Sequence, residues 1–291
     1  MRRLTTTILA CIAVFSTLTI ALASESKSAA LSDSDIKLID DILFAIRIED
    51  FARELPAQIN QGFRQRSQEG AHKFSEKEIA EFEQLTNRIF SPDAMMQHIT
   101  DTLKNNFDKE HYQKVLDTVT SPFGLRMTEL EAKKPVPSEL AAYLAKIAIQ
   151  PLPAARLALI NSLDESSRTS ELATKLATST IHTIMQAALG NCPKMLAEMD
   201  KNFAAQHDEF QEDIRNSVRA AMAYTYRDVS DADLQKYVDQ HNDADMRWFF
   251  DLLFKAINEE FRINAERMGI GIQEMLKNKP NTRFSHDQCD N

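Results

Sequence analysis

Apolar residues recur along this chain at steps of three and four. Ile36, Ile39, Leu43 and Ile46 share one helical face, as do Ile79, Phe82, Leu85 and Ile89. No stretch sustains the two-residue alternation of β-branched side chains that marks a strand. Only 6 glycines occur in 291 residues, well short of the usual share of roughly 7%. The expected fold is all-α, a multi-helix bundle. Its predicted helices are 34–67, 76–90, 92–106, 109–120, 122–133, 138–163 with a break at Pro151 to Pro153, 169–189, 193–226, 231–242 and 244–276.

Helix starts carry mechanical signals. Ser32 with Asp35 has the form of a capping box, Ser91 precedes a proline suited to the first helical position, and Ser138 follows the breaker Pro135-Val136-Pro137. Gly190 is placed to end a helix, and Asn191 to Pro193 to begin the next. Gly70 to Phe74 and the chain after Lys277 have loop composition.

The first 23 residues interrupt this pattern. Arg2 and Arg3 precede an apolar run from Ile8 to Ala23, and the small residues before Ser24 suit cleavage there. This is the form of an export signal, which predicts a periplasmic or secreted protein beginning at Ser24. Retention of Leu4 to Ala23 as an inner-membrane anchor, or acylation at Cys11, are the alternatives. Beyond the leader the expected organisation is an N-terminal helical half at 24–134, a C-terminal half at 135–278 packed on it, and a tail at 279–291. A net charge of −9, made more negative when Arg2 and Arg3 leave, argues against nucleic acid or an anionic membrane surface as the main partner. Cys192 and Cys289 survive cleavage, and an oxidising compartment permits them to pair or leaves two free thiols.

A faint internal repeat appears when 107–131 is set against 229–253, a constant shift of 122. Phe107, Asp108 and Tyr112 then align with Val229, Ser230 and Leu234. In each copy an apolar residue, a cap and an apolar residue form a hydrophobic staple across a helix start. Lys114 with Lys236 and Asp117 with Asp239 extend the match.

Candidate chemistry is sparse. No HExxH, GxSxG, phosphate loop or CxxC is present. Ser24 and Lys27 have SxxK spacing but sit at the cleavage point. The acidic stretch Asp228 to Asp245 fails the calcium-loop template, with Lys236 in place of its glycine and Asn242 in place of its bidentate glutamate. Capping accounts better for Ser230, Asp231 and Asp233. No histidine pair has metal-ligand spacing on one helix: His182, among Ile181, Ile184 and Met185, reads as a partly buried helix residue, and His286 with Cys289 lies in the tail. No catalytic residue, metal or cofactor is therefore assigned.

Two segments remain. Ser121, Pro122 and Gly124 read as a cap, a first-turn proline and a close-approach glycine, followed by Arg126 paired with Glu129 or Glu131 or displayed on a binding surface. From Trp248 to Phe254, apolar side chains cover more of the helix than one packing face needs. Such a helix is either the central member of a bundle or the wall of an apolar pocket, with Met222, Met246 and Met268 as adaptable lining. The candidate binding residues are Arg126, Arg247, Trp248, Phe250 and Phe254.

The run Phe107 to Glu131 also resembles the signature of the bacterial family called domain of unknown function 2059. Phe107, Glu110, Ser121, Pro122, Gly124 and, one place late, Arg126 stand where that family shows an aromatic residue, an acidic helix start, Ser-Pro-x-Gly and a basic residue. Thr118 and Val119 replace its aromatic pair, and Leu125 its first basic residue. Arg227 to Trp248 is similar to a degraded second copy, with Asp243, Ala244 and Met246 in place of serine, proline and glycine. Leu55 to Ile59 and Ala155 to Ser167 are similar to segments of longer members. The resemblance implies an exported helical fold and brings no activity, cofactor or substrate.

Three functions follow as expectations. The first is a non-enzymatic binding or assembly factor in the envelope, acting on a partner protein. The second is a carrier of a small apolar ligand, and the third an enzyme of unrecognised type. None requires a membrane span once the leader is removed.

Overall fold

The computed structural model describes residues 31–69, 74–189 and 192–277. Among them are twelve α-helices and no strand: α1 (Asp33–Ala45), α2 (Ile48–Glu69), α3 (Glu76–Ile89), α4 (Pro92–Asn105), α5 (Lys109–Val119), α6 (Pro122–Glu131), α7 (Pro137–Ile149), α8 (Ala154–Ser167), α9 (Thr169–Leu189), α10 (Pro193–Thr225), α11 (Asp231–Asn242) and α12 (Ala244–Lys277). The all-α multi-helix bundle is thus observed. The leader, Gly70, Gly190 and the tail with His286 and Cys289 lie outside the described residues.

Several helix starts are set by the expected side chains, and Ser75 adds one that was not expected. Ser32 and Ser75 each form a full capping box, with Asp35 and Glu78. Ser91 and Ser121 cap helices whose first residue is proline. Two expectations fail. The helix at 34–67 is broken at Ile46 and Arg47, where Arg47 takes φ 57. Ser138 is not a cap, because α7 already starts at Pro137 and Val136 offers no side-chain bond.

The order of elements repeats. With the shift of 122, the caps Asp108 and Ser121 of α5 and α6 fall on Ser230 and Asp243, which accept from the first backbone amides of α11 and α12. A shift of 121 sets α1 on α8: Ile39 on Ile160, Ile42 on Leu163, all essentially buried, and Arg47 on Arg168. Both arginines are left-handed, and both reach three residues on, to Asp50 and Glu171. Packing repeats too, since α1 lies on α4 and α5 as α8 lies on α10 and α11. In the second half the single helix α10 covers the span of α3 and α4.

Helix α12 fastens the halves. It packs on α9 and α11 from the second half and on α3, α4 and α5 from the first. Close crossing with α9 depends on Gly269: a Cβ there would stand 2.4 Å from the Ala187 Cβ and 2.6 Å from the Ile184 carbonyl oxygen. Asp164, 3% exposed, ties α8 to its neighbours by accepting from the Ser170 amide and hydroxyl and from Arg219 Nε.

Candidate functional site

Between the halves lies a partly open cleft of about 400 Å³, within the range of small-molecule sites. Much of its lining is drawn in equivalent pairs. From the starts of the halves come Ile46 and Ser167, Ile48 and Thr169, and Phe51 and Leu172; from the later helices come Thr118 and Gln240, Val119 and His241, Gly124 and Met246, Thr128 and Phe250, and Glu131 and Leu253. The repeat therefore builds the cleft, with matching positions of the two copies contributing to one hollow.

The chemistry of the two sides differs. The first half contributes Val119, Gly124 and Thr128; at the matching places the second has His241, Met246 and Phe250. Gly124 is dictated by contact, since a Cβ would fall 2.5 Å from the Thr118 carbonyl oxygen and 2.7 Å from that of Val119. The glycine thus lets the end of the neighbouring helix α5 approach α6 closely as the chain turns between them.

Glu131 ends α6 at the cleft. The hydroxyls of Tyr226 and Tyr237 both donate to its Oε1, each at 2.6 Å. Burial first, and then the Glu131 charge, hold both phenols well above their usual range, so they stay protonated donors. The neighbouring His241 is buried, and its Nδ1 lies 3.0 Å from the Tyr237 carbonyl, which can only accept. Nδ1 therefore carries hydrogen, and Nε2 is left as an acceptor while the ring is neutral. Burial lowers the His241 pKa and favours that neutral form. Its ring stacks on Phe250 at 5.6 Å and meets the Tyr237 ring edge-on at 4.4 Å. Phe250 in turn lies 5.9 Å from Phe254. The result is a continuous run of aromatic rings with one carboxylate beside it.

Compared with family models, curated proteins and solved structures, the chain finds no match. The cleft must therefore be read from its own chemistry.

Of the residues singled out from sequence, Phe250 and Phe254 line the cleft, with Met222 and Met246. Trp248 does not. It sits against His111 at 4.9 Å and Tyr112 at 5.4 Å, on the side of α12 that faces α5. Arg247 is exposed and outside the lining, and Met268 is buried in the core. Arg126 also lies outside. Its partner is Asp233 of α11, at 2.9 Å, rather than Glu129 or Glu131; the latter is held by the two tyrosines. That contact, with hydrogen bonding first and charge after desolvation, lowers the Asp233 pKa. His182 is exposed, 3.4 Å from Asp200, and not partly buried as expected. The Asp228 to Asp245 stretch is engaged in caps and in pairs such as Asp231 with Arg156 and Asp245 with His111. Among the described residues, no three His, Cys, Asp or Glu side chains are grouped to hold a metal ion.

Sequence reasoning missed Glu131, Tyr226, Tyr237 and His241 as a group. The only local signal was Tyr237 and His241 one helical turn apart. Cys192 is buried at the start of α10 and disulfide-bonded. The other two cysteines, Cys11 and Cys289, lie outside the described residues.

Proposed function

We propose that this chain is an exported, periplasmic helical protein that carries a small apolar ligand in the cleft between its halves. The supporting observation is the cleft itself, lined largely by apolar and aromatic side chains with a few polar groups gathered around Glu131. Such a composition suits retention of a small apolar ligand. The leader at 1–23 and the resemblance around Phe107 to Glu131 support export. Among the described residues no helix is long and apolar enough to cross a membrane.

Native mass spectrometry of the protein purified from its own host tests this reading. An added lipid-sized mass, lost on denaturation, supports it; a bare chain counts against it.

A second reading, docking of a partner protein in an assembly role, is favoured by a different surface. Phe44 is 84% exposed and Leu125 42% exposed, and both border a separate hollow shared by α1, α2, α4, α5 and α6. A clean oligomer or heteromer without ligand in the same spectrum would favour it.

A further inference from the structure

We infer that the cleft selects an amphipathic organic cation, an ammonium-type head on an apolar tail, over the corresponding anion. This rests on the carrier reading and adds the class of ligand. Among the described residues Glu131 is the one charged side chain that lines the cleft, and the basic residues Arg47, Lys133 and Lys134 line an adjoining hollow that Glu131 also borders. A carboxylate-headed ligand inside the cleft would meet that like charge with no cation in the cleft lining to pair with.

The Glu131 carboxylate is held in place for the task. Both tyrosine hydroxyls converge on Oε1, which fixes the group and leaves Oε2 available. Beside it runs the aromatic cluster, Tyr226 and Tyr237 with centroids 6.0 Å apart, then His241, Phe250 and Phe254, while the uncharged polar lining is Thr118, Thr128, Ser167, Thr169 and Gln240. The negative faces of aromatic rings attract ammonium groups, and a ring cluster beside one carboxylate is the usual means of holding them. The apolar floor from Leu163, Leu172 and Ile257 suits a short alkyl tail.

The test is calorimetric titration of the full mature protein with octyltrimethylammonium, octanoate and octanol. The expected order places the cation on the order of tenfold tighter than the anion. In Glu131→Gln the ratio of cation to anion affinity falls to near one, with folding checked by thermal melting. Octanoate binding as tightly as the cation to the unaltered protein overturns the inference, as does a ratio unchanged in Glu131→Gln. If octanol binds without any preference between the charged pair, the carrier reading survives and the cation assignment does not. If none of the three binds, both fall.

Discussion

Arg47 and Arg168 occupy the same place in the two halves. Each turns the chain between two helices in the left-handed conformation, and each pairs with a carboxylate three residues on. A left-handed residue other than glycine costs about 1–2 kcal/mol, while half-exposed ion pairs return less than about 1 kcal/mol. Arg47→Gly is therefore expected to leave stability unchanged or raise it by up to about 1 kcal/mol, and Arg168→Gly, which also gives up the ion pair with Asp251 of α12, to leave it about unchanged. Arg168→Val is expected to lower it by a further 1–2 kcal/mol or so, since a β-branched residue resists that backbone. Urea unfolding midpoints of the three variants check this.

Gly124 is less tolerant. Its added Cβ would press on backbone carbonyl oxygens at 2.5 and 2.7 Å, and backbone cannot rotate aside as a side chain can. Gly124→Ala is expected to destabilise by about 2 kcal/mol. An unchanged melting temperature would show that the turn between α5 and α6 is looser than described.

His241 gives the protein an acid sensitivity of known sign. Its pKa is lowered in the folded state, chiefly by burial. The unfolded chain therefore takes up a proton near the ordinary value of 6.5 while the folded chain does not. Its contribution is fully present above that pH and is lost progressively below it, down to the folded-state pKa. Stability followed from pH 7 downward is expected to fall more steeply in the unaltered protein than in His241→Phe.

The disulfide of Cys192 is expected to be with Cys289, because removal of the proposed leader at 1–23 would take Cys11 away. Closing a loop of that length is worth about 4–5 kcal/mol in the chain-entropy model. Peptide mapping without reduction should yield the Cys192–Cys289 pair, and Cys289→Ser should expose a thiol at Cys192. Alkylation of Cys192 in the unreduced, unaltered protein would contradict the pairing.

The helices were legible because their starts are chemical events: a serine, aspartate or proline at the first turn leaves a signature in one local window. The break at Arg47 was not, because Ala45-Ile46-Arg47-Ile48 contains no glycine or proline and its left-handed turn is imposed by packing. The site was legible in part. Crowding of aromatic residues from Trp248 to Phe254 marked the right helix but not the right face, since adjacent residues on a helix point to different neighbours. Trp248 meets α5, Phe249 is fully buried, and Phe250 borders the cleft. Glu131 lies some 95 residues before Tyr226, and Tyr226 and His241 stand on successive helices, so only the folded chain brings the carboxylate to them. The repeat held part of the missing information, because the shifts of 121 and 122 pair Glu131 with Leu253 and Val119 with His241 in the lining, although Tyr226 and Tyr237 have no such counterpart there.

The central claim, that the cleft between the halves is where a ligand resides, is tested most directly by the methionine methyl groups. Met222 and Met246 line the cleft, whereas Met95 and Met268 are buried in the core. In protein labelled with carbon-13 at the methionine methyls, titration with octyltrimethylammonium should shift the Met222 and Met246 resonances saturably and leave those of Met95 and Met268 in place. Stationary Met222 and Met246 signals at saturating ligand, or equal shifts at all four, would contradict the account.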